Sequence, residues 1–273
     1  MRGEFVEVGA ERLYYYAAGT RGAGDPIVLL HGFPTSGHVW SNLISLLPAG
    51  HRLVVPDLLG FGRSEASDRA DLSIRGHAQR VIELLDELQI HRCALVGHHL
   101  GACIATLVAA QTQTRVSHLA LLHPLGGDVL FTGTFAVLRA FLPAVRVLPF
   151  ALLRARLRAE LSRWFSDPLR ARPTVDQYLS AWHKPRQWRQ LLRHLAALHP
   201  AQVAETTRLL GTLSIPVAIA VSDGDPAVPR VALEQVRAAA SSATLDIIPH
   251  VRHFSPEESP ERIAGTIERL LRS

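Results

Sequence analysis

Short apolar segments alternate with helical segments along most of this chain. Runs rich in apolar or aromatic residues predict strands at residues 12–18, 27–31, 53–56, 93–96, 119–122, 217–221 and 245–248. Residues 74–88 have the spacing of an amphipathic helix, and the alanine-rich run 102–110 is typical of a buried one. This alternation predicts an α/β fold in which a mostly parallel sheet is flanked by helices.

One long segment interrupts the alternation. Between residues 125 and 213 the strand pattern stops, and helical stretches are separated by prolines. We interpret this segment as a helical cap inserted after the sixth strand, because such insertions cover an active site and shape its pocket. The predicted organisation is an α/β core of residues 1–124 and 214–273, with residues 125–213 as the cap.

The most informative motif follows the strand at 93–96. It reads Gly97-His98-His99-Leu100-Gly101-Ala102 and leads directly into the alanine-rich helix. A strand, a sharp G-x-Nu-x-G turn and a helix form a nucleophile elbow, in which the strained middle residue points into the active site. That residue is usually Ser, Asp or Cys, and here it is His99.

Other segments complete the pattern of an acyl-transfer site. A turn at Phe33 follows an early strand and, together with Leu100 after the elbow, predicts two backbone N–H groups for an oxyanion. Asp225 lies just past the strand at 217–221, and His253 just past the strand at 245–248. Nucleophile, acid and histidine therefore occur in the chain order known for such sites.

With these motifs, the chain resembles the α/β-hydrolase superfamily over nearly its whole length, nearest to the branch of epoxide hydrolases and dehalogenases. Their elbow commonly reads G-H-D-x-G-A where this chain has G-H-H-L-G-A, and their P-D-L-x-G-F-G-x-S turn matches residues 56–64. The resemblance implies that Asp225 is the triad acid and His253 the triad base, with His99 in the place of the nucleophilic Asp or Ser. Asp128, after the strand at 119–122, is a second-ranked position for the acid.

His99 leaves four interpretations open. An imidazole can attack an activated acyl group, since an acyl-imidazole hydrolyses readily, but an alkylated imidazole is not easily cleaved. His99 could instead serve with His253 and Asp225 as an acid or base in a lyase, isomerase or cyclase. Activity could have been lost, leaving an inert or ligand-binding member. Finally, His99 could be a substitution made on a native aspartate, because the common G-H-D-x-G-A form favours aspartate as the ancestor; the sequence leaves open whether His99 is native or introduced.

Departures from the related enzymes narrow the substrate. Haloalkane dehalogenases usually carry Trp after the nucleophile and a polar residue after His-Gly, where this chain has Leu100 and Phe33. Epoxide hydrolases usually place two tyrosines in the cap, and Tyr178 is the single tyrosine of this segment. The remaining prediction is hydrolysis of a small, largely apolar ester or lactone, or a non-hydrolytic reaction. An epoxide or related molecule is a less supported substrate.

The cap segment is both aromatic and basic. We expect its aromatic face to close over His99 as an apolar pocket, with these residues lining it: Phe131, Phe135, Tyr178 and Trp182. Its arginines should mostly face water, because burying many unpaired charges is prohibitive. They include Arg139, Arg146, Arg154, Arg156, Arg158, Arg163, Arg170 and Arg172. A nucleic-acid partner is not expected, since no recognition motif accompanies this charge.

The resemblance implies an enzyme that needs no cofactor and acts on a small-molecule substrate, and the cytoplasm is its expected location. No apolar run is long enough to span a membrane, and the first residues lack the apolar core of a signal peptide. The two cysteines, Cys93 and Cys103, fall in buried elements and imply no disulfide framework. A zinc site formed by His98, His99, His253 and Asp225 is disfavoured, because adjacent histidines on a sharp turn project in different directions. The oligomeric state is left open.

Overall fold

The computed structural model describes residues 2–19, 22, 24–112, 114–145, 148–169, 171–182 and 185–273. Within these ranges a single sheet of eight strands has the spatial order β1-β2-β4-β3-β5-β6-β7-β8. Its strands are β1 Arg2–Val8, β2 Glu11–Ala18, β3 Ile27–Leu30, β4 Leu53–Pro56, β5 Cys93–His98, β6 Val116–Leu122, β7 Val217–Ser222 and β8 Thr244–Ile248. β2 pairs antiparallel with β1 and β4, and all other pairs are parallel. The predicted fold class is confirmed, and β1 is a strand that the apolar pattern did not predict.

Helices cover both faces of the sheet, which is why its central strands are continuous apolar runs. Every residue of β3, β4 and β5 is buried. The helices are α1 Ile74–Glu87, α2 Leu100–Thr112, α3 Gly133–Ala140, α4 Leu142–Val145, α5 Phe150–Arg163, α6 Arg172–Ser180, α7 Pro185–Ala197, α8 Pro200–Leu210, α9 Arg230–Ala239, α10 Ser255–Glu258 and α11 Pro260–Leu271. Short 3₁₀ helices lie at Gly37–Trp40 and Ile44–Leu46.

Local sequence explains the two helices nearest the predicted site. Ser73 begins α1 as an N-cap, because its hydroxyl accepts a hydrogen bond from the Gly76 N–H at 3.0 Å. α2 is apolar all round and is buried from Leu100 to Ala109, as expected for a helix enclosed by neighbours on every side. Its neighbours include α1, α8 and strands β5 and β6.

Helices α3 to α8 lie between β6 and β7, where the cap was predicted. Their buried apolar side chains join the same core cluster as those of the sheet. The exact division at residues 125 and 213 stays a prediction. Among the residues described, no helix has both the length and the apolar character needed to cross a membrane.

Candidate active site

The nucleophile elbow is present, with His99 at its tip. His99 has a φ of +52°, in the left-handed region that side chains other than glycine rarely occupy, between the end of β5 and the start of α2. A Cβ atom added to Gly97 would lie 2.4 Å from the Gly101 carbonyl oxygen, and one added to Gly101 would lie 2.2 Å from the Leu30 carbonyl oxygen. Both glycines are therefore required for the turn to close, as the motif predicts.

Asp225 and His253 form the predicted pair at the carboxyl edge of the sheet. Asp225 follows β7 and His253 follows β8, and the His253 Nδ1 atom lies 2.9 Å from Asp225 Oδ2. The other carboxylate oxygen accepts hydrogen bonds from the N–H groups of Ala227 at 2.7 Å and Val228 at 3.2 Å. Burial alone would raise the pKa of Asp225, but histidine neighbours and their hydrogen bonds outweigh it and hold the pKa well below the usual range. The acid is ionised and fixed in position.

The rings of His253 and His99 meet edge to face, with centroids 4.8 Å apart and planes at 89°. Both side chains are buried, and neither the Nε2 atom of His253 nor the Nδ1 atom of His99 has a hydrogen-bond partner among the described residues. Burial, followed by the proximity of His253, lowers the pKa of His99 well below its usual value. Burial also lowers the pKa of His253, against the opposing effect of Asp225. Two neutral imidazoles therefore meet at the elbow. Both pKa values are lowered, which is the direction expected for two buried bases close together.

His123 is a member of this cluster that the sequence interpretation missed. It comes directly after β6 with a φ of +48° and is completely buried. Its Nδ1 atom lies 2.6 Å from Asp225 Oδ2, and its Nε2 atom lies 2.9 Å from the Ser255 hydroxyl. Its position at the end of β6, next to the strands that carry the elbow and the acid, was the signal available in the sequence.

Asp128, the second-ranked acid, is not placed for that role. It lies exposed in a turn after β6, five residues beyond His123. The chain has already left the edge of the sheet at that point, and the Nδ1 atom of His253 is bonded to Asp225. The residue that β6 brings to the acid position is His123.

Two further histidines hold the backbone around the site. The Nε2 atom of His98 lies 2.9 Å from the carbonyl oxygen of His253 and so ties the elbow to the loop after β8. The Nδ1 atom of His31 lies 2.9 Å from the Gly32 carbonyl oxygen, while its Nε2 atom accepts a hydrogen bond from the Leu58 N–H at 2.9 Å. Burial lowers the pKa of His31 to about 3, so the ring stays neutral. Both histidines therefore have structural roles next to the elbow.

The two predicted oxyanion donors lie next to the elbow. Leu100 is the first residue of α2, and the N–H groups of a first helical turn have no partner within the helix. Phe33 follows Gly32, where an added Cβ atom would lie 2.7 Å from the Cβ atom of His99. The turn after β3 therefore packs against the elbow. The oxyanion role of Phe33 and Leu100 stays a prediction.

Trp164, which follows α5, covers the histidine pair. Its ring centroid lies 4.9 Å from that of His253 and 6.2 Å from that of His99, and its carbonyl oxygen accepts a hydrogen bond from the His253 N–H at 2.9 Å. Phe135 packs on Trp164 at 5.5 Å and on Phe33 at 5.1 Å, and Phe131 packs on Phe33 at 5.0 Å. This aromatic layer leaves His99 only 2% exposed. In this arrangement the cap separates His99 from solvent.

Among the described residues, Tyr178 and Trp182 make no ring contact or hydrogen bond with His99, and their place in its pocket stays a prediction. The Tyr178 hydroxyl donates a hydrogen bond to the Glu257 carboxylate, and its ring stacks on Phe254 with centroids 5.7 Å apart. Trp182 packs on Phe61 at 5.7 Å. Both side chains therefore join the cap to the core.

The cap arginines that the structure describes are exposed or half-exposed, as predicted. Arg158 forms an ion pair with Asp176, and Arg163 lies 3.6 Å from Glu160. Arg146 and Arg170 lie outside the described residues.

A metal ion could be considered at three buried groups. His123, Asp225 and His253 each offer one ligand atom, all within 4.8 Å of one another. However, the two histidine nitrogens lie 2.6 and 2.9 Å from the same carboxylate oxygen. Two ligands on a tetrahedral zinc ion, with bonds of about 2.0–2.1 Å, would be roughly 3.3 Å apart. The cluster therefore has the spacing of direct hydrogen bonds and does not fit an ion in this arrangement.

Comparisons with known proteins agree with this fold. Residues 25–260 match the family model of the α/β hydrolase fold. "Haloalkane dehalogenase 2" of Mycobacterium tuberculosis is 28% identical over 268 residues, covering 94% of this chain and 90% of that protein. An α/β hydrolase fold protein from Burkholderia ambifaria superposes with a TM-score of 0.85 at 24% identity, over 97% of this chain and 99% of the other. The enol-lactonase from Burkholderia xenovorans LB400 does so with a TM-score of 0.81 at 20% identity, over 99% and 100%.

Proposed function

Because the chain belongs to the α/β hydrolase fold family, we propose that it hydrolyses small, largely apolar carboxylic esters or lactones with His99 as the nucleophile. The proposal rests on one observation above all. At the tip of the elbow, the ring of His99 lies 4.8 Å from that of His253, which Asp225 holds from behind, and each ring has a buried nitrogen without a partner among the described residues. This arrangement supports the assignment of His99 as nucleophile, His253 as base and Asp225 as acid for acyl transfer.

The reaction proceeds in two steps. A ring nitrogen of His99 attacks the acyl carbon, the bond to the leaving oxygen breaks, and His253 transfers the imidazole proton to that oxygen. In the second step, His253 removes a proton from water, which attacks the acyl-imidazole. The carbon–nitrogen bond then breaks, and His99 recovers its proton.

Three features of the site support this sequence of steps. His253 and His99 are both neutral at pH 7, so one can act as a base and the other has a free lone pair. Backbone N–H groups of Leu100 and Phe33 would stabilise the oxyanion at each tetrahedral intermediate. The aromatic layer of Trp164 and Phe135 favours a small apolar acyl group.

Transfer of an alkyl group is a poorer fit. Dehalogenation or epoxide opening through a covalent intermediate would leave an alkylated imidazole, which water does not readily cleave. An ester or lactone instead gives an acyl-imidazole, which does hydrolyse. Similarity to a haloalkane dehalogenase therefore supports the scaffold of this chain. It gives less support to dehalogenation as the reaction.

The test is hydrolysis of p-nitrophenyl acetate and butyrate by the wild type and by His99→Ala and His253→Ala. We expect both substitutions to abolish turnover, because one removes the nucleophile and the other the base. Mass spectrometry after rapid quenching should find the acyl group on the peptide that contains His99. Equal rates in all three proteins would refute the proposal.

A non-covalent reaction catalysed by the two histidines is the second candidate, because their neutral rings already meet edge to face. It predicts that both substitutions impair turnover of some substrate while no acyl group is found on His99. The mass-spectrometric arm therefore separates the two candidates.

A further inference from the structure

One carboxylate oxygen at the site accepts two imidazole hydrogen bonds. Asp225 Oδ2 lies 2.9 Å from the Nδ1 atom of His253 and 2.6 Å from the Nδ1 atom of His123. Since the other oxygen is occupied by the N–H groups of Ala227 and Val228, both histidines must share Oδ2. A typical triad acid serves one histidine.

The contacts of His123 fix which of its nitrogens carries a proton. An ionised carboxylate only accepts hydrogen bonds, so Nδ1 of His123 must donate to Asp225. Its Nε2 atom then accepts from the hydroxyl of Ser255, 2.9 Å away, when the ring is neutral. Ser255 lies two residues after His253, so His123 connects the ends of three strands: β6, the acid loop after β7 and the histidine loop after β8.

We propose that His123 is a positioning residue that orients Asp225 and moderates the basicity of His253 by sharing its carboxylate oxygen. This inference rests on the proposed function for its kinetic consequence, but its structural content is independent of any substrate. A second N–H on Oδ2 draws electron density from that oxygen. The bond that would stabilise the protonated form of His253 is thereby weakened.

The groups around His253 are consistent with this role. Asp225 faces its Nδ1 atom, His99 lies on its Nε2 side, and His98 packs on its ring with centroids 4.6 Å apart. His123 lies 5.2 Å from the His253 ring and 5.8 Å from that of His98. Of these four neighbours, Asp225 is the one that favours a charged His253, and His123 contacts that carboxylate directly.

Two substitutions of nearly equal size separate the contacts of His123. In His123→Asn, the side-chain amide nitrogen can take the place of Nδ1 and keep the hydrogen bond to Asp225. In His123→Gln, the amide lies farther out, near the place of Nε2, where it can reach Ser255 but leaves Asp225 Oδ2 to His253 alone. We expect His123→Gln to lower kcat/KM for p-nitrophenyl acetate by about 10- to 100-fold, as loss of one charge-assisted hydrogen bond would. The acidic limb of the pH profile of kcat/KM should move to higher pH in His123→Gln. His123→Asn should keep the pH profile of the wild type.

Nuclear magnetic resonance of protein with ¹⁵N-labelled histidine gives a readout that needs no activity. The wild type should show two low-field Nδ1–H protons, from His123 and His253, and both variants should lose one of them. His253 should titrate at higher pH in His123→Gln than in the wild type or His123→Asn. A single low-field proton in the wild type, or identical titration of His253 in all three proteins, would overturn the inference. If the wild type hydrolyses no ester while these resonances behave as stated, the proposed function fails and the role of His123 stands.

Discussion

Two buried histidines where α1 meets the cap should make folding sensitive to acid. His77 of α1 and His194 of α7 are completely buried, their planes are 13° apart at a centroid distance of 5.5 Å, and none of their four ring nitrogens has a partner among the described residues. Burial lowers the pKa of His77 to about 4 from an ordinary value of 6.5. The unfolded chain therefore binds a proton at this position between these two values, while the folded chain does not.

The size of the effect follows from proton linkage. Since the folded pKa is the lower one, stability is complete above the ordinary pKa and is lost as the pH falls toward the folded pKa. With a difference of 1.36 kcal/mol for each pH unit, His77 should cost about 2 kcal/mol of unfolding free energy at about pH 5 relative to about pH 7.5. His77→Gln removes the titrating group and should abolish this component of the acid sensitivity.

The assay is urea unfolding of the wild type and His77→Gln at both pH values. His91→Gln is the matched control, because it makes the same chemical change at an exposed position. Between about pH 7.5 and pH 5, the wild type should lose about 2 kcal/mol more than His77→Gln, and His91→Gln should behave like the wild type. The same loss in all three proteins would show that His77 is not buried as a neutral ring, and the reasoning would fail.

Three other outcomes follow from the site. Since burial lowers the pKa of His253, this base should stay neutral at lower pH than a free histidine does. The acidic limb of kcat/KM for p-nitrophenyl acetate should therefore lie below about pH 6.5. An acidic limb above that value would contradict this prediction. His99→Asp should lower ester turnover if His99 is the native nucleophile, whereas turnover of haloalkanes or epoxides with an ester adduct on the new carboxylate would identify an aspartate-nucleophile scaffold. Trp164→Ala should cost about 3–5 kcal/mol of stability and raise the rate for butyrate relative to acetate, since it removes the ring over His99. Trp188, which packs on Phe150, provides a control in the cap: Trp188→Ala should leave the butyrate-to-acetate ratio unchanged. If Trp164→Ala also leaves this ratio unchanged, Trp164 does not restrict access to His99.

The sequence determined the parts of the site that local chain geometry fixes. The elbow needs glycines at both ends, and its tip residue His99 can be identified from that spacing alone. Asp225 and His253 could be placed because each follows a buried apolar strand, and parallel strands bring their carboxyl ends to one edge. The first strand, Arg2–Val8, was missed because an edge strand paired on one side has no continuous apolar run.

Contacts between distant elements were the part that the sequence could not supply. Trp164 and Tyr178 are both buried cap aromatics, and the difference between them arises only when the cap docks on the loop after β8. Asp128 has the side chain of an acid but lies past the edge of the sheet, whereas His123 lies at that edge without the expected residue type. Position relative to the strand end was therefore a better criterion than residue type for finding the site residue after β6. Residue type had favoured Asp128 over His123.

Burial of neutral histidines links the proposed chemistry to the stability of the fold. The desolvation that keeps His253 unprotonated, and so able to act as a base, is the same effect that makes His77 a source of acid instability. In the wild type, loss of activity at low pH therefore combines protonation of the base with unfolding of the chain. His77→Gln separates these causes, because it changes a residue that does not contact the elbow. If its stability at about pH 5 rises while the acidic limb of kcat/KM stays in place, that limb belongs to His253. If the limb moves with stability, the wild-type profile reports unfolding, and the assignment of the base must rest on His253→Ala and the histidine resonances instead.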